Sequence, residues 1–183
     1  MRSRLRAALG PAAGRSGQAL PASVNVLWAP WRMAYLVQQP APTGCLFCRV
    51  LVAGDDARQG ILARAGTAFL ILNAYPYASG HLMAVVNRHV GSPEELTESE
   101  QLDLLGVTGR AVRALRAVYR PDGFNIGANI GRAAGAGIDG HLHLHVVPRW
   151  TGDTNFMPVM GSVKVIPESL EETFRRLHPQ LAP

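Results

Sequence analysis

Three histidines alternate with apolar residues in Gly140-His141-Leu142-His143-Leu144-His145-Val146-Val147-Pro148. On a β-strand successive side chains point to opposite faces, so His141, His143 and His145 share one face and Leu142, Leu144 and Val146 the other. The leucine face can bury itself. A face of imidazoles turned to a cleft calls for chemistry. Zinc is one candidate, because histidines at i and i+2 can share an ion. All three cannot easily do so: at ~3.3 Å per residue His141 and His145 lie roughly 13 Å apart along the strand. Separate roles fit better. A neutral imidazole is a good nucleophile near neutral pH, and a neighbouring ring can donate to phosphate oxygens or protonate a leaving group.

A second chemistry-bearing group is Cys45-Leu46-Phe47-Cys48. A Cys-x-x-Cys knuckle aims two thiolates at one tetrahedral zinc, with two ligands still to come from elsewhere. Redox chemistry would need a thioredoxin-like βαβ context, and the flanking sequence lacks one. The loop Gly131–Gly140 contains a Gly-x-G-x-x-Gly match from Gly135 to Gly140. That match opens the histidine strand rather than a helix, so it is not a dinucleotide fingerprint. It remains a loop whose backbone can approach a phosphate, with Gly135, Ala136 and Gly137 as the anion-site candidates.

His141-Leu142-His143-Leu144-His145-Val146-Val147 resembles the signature of the histidine triad (HIT) family, His-φ-His-φ-His-φ-φ with φ apolar. These proteins are nucleotide hydrolases and transferases. The resemblance spans about Cys45 to Trp150. It implies that the central histidine, His143, attacks the α-phosphorus of an adenine nucleotide to form an AMP–histidine intermediate. It implies that His145 donates to the phosphate or leaving oxygen, and that His141 holds zinc or orients its neighbour. By the same resemblance a structural zinc sits on Cys45, Cys48, His89 and His141, with no organic cofactor. Asn73 and Asn129 stand where relatives contact substrate, and His81 matches a histidine near the active site. Asn73 equally suits the capping of its own turn. Hydrolase-branch relatives often carry serine or threonine three residues before the first triad histidine, where this chain has Ile138.

Trp28-Ala29-Pro30-Trp31-Arg32-Met33-Ala34-Tyr35 puts aromatic residues at i, i+3 and i+7, one helical face that can clamp the core. It also resembles the leader of a HIT subgroup that includes bacterial diadenosine tetraphosphate phosphorylases. Phosphorolysis of diadenosine tetraphosphate to ATP and ADP is therefore the expected reaction. The alternatives are dinucleoside polyphosphate hydrolysis or phosphoramidase activity, a nucleotide-binding scaffold with a vestigial site, and a mononuclear zinc enzyme using His141 and His143.

The elements that must position these residues are legible in outline. Ala68–Leu72 and His81–Val86 read as strands joined by the Asn73–Gly80 loop. Thr97-Glu98-Ser99-Glu100 is a capping box, and Leu102, Leu105, Val112 and Leu115 mark an amphipathic helix to about Tyr119. Arg110, Arg113 and Arg116 form its solvated side. Phe124–Asn129 is the next strand. Ser162–Ile166 is extended, and Pro167 precedes a short helix with Leu170, Phe174 and Leu177 inward. The expected fold is α+β: a HIT-like antiparallel sheet of about five strands with one main helix and a short C-terminal helix. Residues 1–24 form a disordered extension, 25–150 the catalytic domain, and 151–183 a segment packed on it.

Composition sets wider bounds. The chain has 183 residues, 48% hydrophobic, with a net charge of +5, which suits one globular domain with tails. No acidic residue precedes Asp55, and Lys164 is the sole lysine, so the positive charge is dispersed arginine. That pattern suits small anionic ligands and gives no cluster for nucleic acid. No apolar run approaches the roughly 18 residues of a membrane helix. Cytoplasmic residence is expected, with organellar targeting by the basic, acid-free N-terminus as the lesser reading. The resemblance further implies a homodimer.

Overall fold

The computed structural model describes residues 44–154 and 166–181. The aromatic leader, residues 1–24 and Lys164 lie outside them, as does the Ser162–Val165 part of the expected extended stretch.

Five strands form one antiparallel sheet: β1 (Ile61–Ala65), β2 (Ala68–Leu72), β3 (Leu82–Val86), β4 (Gly123–Gly127) and β5 (His143–Arg149), in the order β1-β2-β3-β5-β4. Strands β2 and β3 are buried at every position, as their unbroken apolar runs require. β1 is the strand the sequence hides: Ile-Leu-Ala-Arg-Ala lacks both alternation and β-branched density. It is held by its hairpin with β2. Gly66 turns that hairpin at a positive φ of 56°, and a Cβ there would overlap the Asp103 carboxylate. Asp103 in turn accepts from the Thr67 N–H and hydroxyl at 2.8 and 2.9 Å.

Helix α3 (Glu98–Tyr119) covers one face of the sheet; α1 (Leu46–Val52) and the short α2 (Asp56–Gln59) precede the strands. The expected capping box is present: the Thr97 hydroxyl accepts from Glu100 N–H, and the Glu100 carboxylate accepts from Thr97 N–H. Arg88 also pairs with Glu100 and, with these bonds, holds its carboxyl down to about 2. The buried stripe of α3 is Leu104, Val107, Ala111, Ala114 and Leu115. Leu102 and Leu105 were expected inward but are 67% and 64% exposed. The buried face runs instead through Leu104, Val107 and the small alanines at 111 and 114, which let the helix lie close on the sheet. Helix α4 (Leu170–Leu181) buries Thr173, Leu177 and Leu181, with Leu170 and Phe174 half-buried against the same core.

Leu142 and Val146 join this core and Leu144 packs at its edge, as the alternating pattern requires. The opposite face carries a smaller cluster of Phe47, Val50, Ile61, Phe69, Ile71, Met83 and Val85, with Ile138 packed on it. The register sets His143 against Val85 and His145 against Met83, so both histidines rise on this second face. The strand begins at His143, not at His141 as expected. Leu142 N–H instead donates to the Val90 carbonyl at 2.6 Å, which takes His141 out of the ladder.

Candidate active site and metal cluster

The three histidines stand in three different environments. His141 comes at the end of the glycine loop, 1% exposed. Its Nε2–H donates to the Val86 carbonyl at 2.8 Å. A carbonyl only accepts, so the proton is on Nε2 and Nδ1 keeps its lone pair. That Nδ1 lies 3.2 Å from Cys45 Sγ, 3.6 Å from Cys48 Sγ and 3.3 Å from His89 Nδ1; Cys48 Sγ is 3.5 Å from His89 Nδ1. A tetrahedral zinc with bonds of about 2.0–2.3 Å sets its ligand atoms ~3.3–3.8 Å apart. These four separations are close to that spacing, and all the donor atoms lie within 4.8 Å of one another. Donation from a ligand's second nitrogen to a backbone carbonyl is the usual way such a histidine is oriented. Without a cation, burial and the neighbouring Cys45 sulfur push the Cys48 thiol up from its ordinary value. A metal ion would replace those protons.

The chain brings these donors together from three elements. Cys45 is the N-cap of α1 and Cys48 lies in its first turn. His89 follows β3. The helix over 46–52 was not expected; its anchors are Phe47 and Val50, two apolar residues too close together to show a period.

His143 is 5% exposed. Its Nδ1–H donates to the carbonyl of His141 at 2.8 Å, which leaves the lone pair on Nε2. Burial pushes its pKa below the usual 6.5, partly offset by that hydrogen bond. The ring is thus neutral at physiological pH, the state a nucleophile needs. Phe47, between the two cysteines, buttresses both the His143 ring at 5.0 Å and the His141 ring at 5.3 Å.

His145 is half-buried, its ring 5.0 Å from that of His143. Its Nδ1 lies 3.0 Å from Nε2 of His81, itself 1% exposed. Tyr77 lies alongside both rings, at 4.6 Å from His81 and 5.9 Å from His145. Neither Tyr77 nor Phe47 stands out in the sequence as a site residue. His81 and Asn73 were the sequence signals pointing to this corner.

The other site candidates are more dispersed. Asn73 directly follows β2; its Oδ1 accepts from Tyr75 N–H at 2.9 Å, and its Nδ2 is 3.3 Å from His81 Nδ1. It caps its own turn. Asn129 lies two residues past β4, half-buried. Gly135 ends a 3-10 turn with φ 84°, and its N–H donates to Arg132 at 2.9 Å. The Ala136 N–H reaches Gly131 at 3.4 Å. Arg132 pairs with Asp139 at 2.8 Å across the loop. Ile138, packed on the Phe47 cluster, plugs the position where a hydroxyl was to be looked for.

A family model for the HIT domain matches residues 56–152. The chain belongs to the HIT family. It is 41% identical over 164 residues to an AP-4-A phosphorylase of Mycobacterium tuberculosis, an alignment covering 85% of this chain and 84% of that protein. Among solved structures it is similar to a Zn-bound histidine triad family protein from Mycobacterium smegmatis (29% identity, TM-score 0.60, covering 76% of this chain and 94% of that one). A hypothetical histidine triad nucleotide-binding protein from Sulfolobus tokodaii matches with 26% identity, a TM-score of 0.59, and coverage of 74% and 88%. At the level the family sets, this HIT protein is a nucleotide-processing enzyme. Among its described residues no helix is long and apolar enough to cross a membrane.

Proposed function

We propose that this HIT protein catalyses phosphorolysis of diadenosine tetraphosphate through an adenylylated His143. The observation that carries the proposal is the state of His143: buried, neutral, with its proton committed to the His141 carbonyl and its lone pair on Nε2. Nε2 attacks the α-phosphorus, and a phosphorus–nitrogen bond forms as the bond to the bridging oxygen breaks. ATP leaves, its oxygen receiving a hydrogen bond or proton from His145. Inorganic phosphate then attacks the AMP–His143 phosphorus, giving ADP and the free imidazole. Two in-line displacements replace one difficult step.

Phosphate is preferred over water as the acceptor on two grounds. The 41% identical relative is an AP-4-A phosphorylase, and the apolar Ile138 stands where hydrolase-branch relatives often carry a hydroxyl. Asn73 and Asn129 are proposed to bind the nucleoside, and Gly135, Ala136 and Gly137 the phosphates. The Gly135 amide closes its own turn, so close backbone approach and the Gly137 amide are what that loop offers an anion. Cys45, Cys48, His89 and His141 would hold zinc. Its chemistry there is structural, fixing the end of the glycine loop against α1.

A cytoplasmic homodimer is the proposed assembly. Its support is the exposed edge strand β4 together with Leu102, Leu105, Ile126 and Ile130 on the surface of the described chain.

Diadenosine tetraphosphate is incubated with the protein, with and without inorganic phosphate, and the nucleotides are separated. ATP and ADP formed only with phosphate is the expected result. ATP and AMP regardless of phosphate would instead make the enzyme a hydrolase.

A further inference from the structure

The hydrogen bonds around His81 have a direction. The Tyr77 N–H donates to His81 Nδ1 at 3.0 Å. A backbone N–H can only donate, so His81 Nδ1 is bare and the neutral ring carries its proton on Nε2. That Nε2–H lies 3.0 Å from His145 Nδ1, which must therefore accept. A neutral His145 then carries its own proton on Nε2. The Tyr77 ring packs along both imidazoles, and Asn73 Nδ2 lies against the His81 ring, 3.3 Å from Nδ1 and 3.4 Å from Nε2. One main-chain amide in the Asn73–Gly80 loop thus decides the position of a proton two rings away.

We propose that His81 is a positioning residue that locks His145 in the Nε2–H tautomer, so that the ring beside His143 always presents a donor. The inference rests on the reading above for what that donor serves: an oxygen leaving the phosphorus under attack by His143. The tautomer itself stands apart from that reading. Without His81, His145 Nδ1 loses this donor and the other tautomer becomes accessible. A lone pair would then face the oxygen that needs a proton.

The test is a long-range proton–nitrogen correlation spectrum of His145 in the full-length protein, alongside two variants. In His81→Gln the side-chain amide nitrogen takes the place of Nε2 and keeps a donor for His145. In His81→Asn the side chain is too short to reach His145 but can still accept from Tyr77 N–H. The wild type and His81→Gln are expected to show the Nε2–H pattern, and His81→Asn a mixture.

With diadenosine tetraphosphate, His81→Asn is expected to lose about 10²-fold in kcat, the low end for a positioned general acid, with little change in KM. His81→Gln should recover most of the loss. The loss should shrink with the p-nitrophenyl ester of AMP, whose leaving group needs no proton. A wild-type His145 protonated on Nδ1 would overturn the proposal, and this needs no variant to fold. So would His81→Asn matching His81→Gln in both spectrum and kcat, or an equal loss with both substrates. Absence of turnover in the wild type would overturn the proposed reaction, while the spectrum would still decide the tautomer.

Discussion

The two ends of the triad, His141 and His145, lie four residues apart and are built to opposite purposes. His141 is sealed in: its Nε2 is tied to Val86, and its Nδ1 is turned to two sulfurs and a second imidazole. His145 is half-buried, on the regular part of β5, and takes its orientation from the Asn73–Gly80 loop through His81. His143 stands between them and borrows from the first end. The acceptor that fixes its tautomer is the main-chain carbonyl of His141, the candidate metal ligand. A histidine's job here is set by which of its nitrogens a fixed neighbour occupies. The two ends should accordingly fail in different ways when altered.

The largest expected effect is at the centre. His143→Ala should lower kcat by at least about 10³-fold, because the nucleophile is gone. Its stability cost should stay near the ~1–3 kcal/mol of an unpaired buried carbonyl at His141. Steady-state kinetics and thermal unfolding of one preparation would separate the two.

The metal end should show the reverse balance. Cys45→Ser, or removal of metal by a chelator, should lower the melting temperature by about 10 °C, or ~3 kcal/mol for a chain of this size. The loss of kcat should be smaller, about tenfold, arising as His141 and its carbonyl shift. Calorimetry with metal analysis would check this. A melting temperature unmoved by metal removal would break the comparison.

Acid should act on both properties through His143. Its folded pKa lies below the unfolded 6.5 because burial penalises the charged ring. The unfolded state therefore takes up a proton first, and the stability that neutral His143 contributes above pH 6.5 is lost as pH falls from there toward the folded value. The kcat/KM profile should hold through pH 6.5 and fall only below it, as the buried ring itself protonates. A fall centred above 6.5 would contradict a buried neutral nucleophile.

A smaller effect is expected far from either end. Gly66→Ala places a Cβ against Asp103 at a positive φ. It should cost about 1 kcal/mol through the backbone alone, with kcat unchanged.

Much of this arrangement could be read from residue types and spacing. The period of two in 141–147 separated a burying face from a reactive one, and the packing of Leu142 and Val146 agrees. Thr97 and Glu100 marked the start of α3 because a capping box is local chemistry. The candidate metal donors are likewise residue types that sequence displays. What stayed hidden depends on the main chain or on tertiary fit. The carbonyls of Val86 and His141 and the amide of Tyr77 set three imidazole protons, yet every residue has a carbonyl and nearly every one an amide. The start of β5 moved to His143 because Val90 captured the Leu142 amide. Leu102 and Leu105 misled because any leucine near a helical period looks inward. Alanines 111 and 114 form the contact through closeness rather than bulk. β1 has no pattern of its own and exists because β2 offers it an edge.

The central claim is that His143, and neither of its neighbours, carries the nucleotide. The most direct measurement is to quench the enzyme with diadenosine tetraphosphate in the absence of inorganic phosphate, digest it, and locate the adenylyl group by mass spectrometry. The expected result is one adenylyl group on His143, discharged as ADP when phosphate is added and absent from His143→Ala. Adenylyl found on His141 or His145, or full turnover with no adduct at any time, would contradict the account.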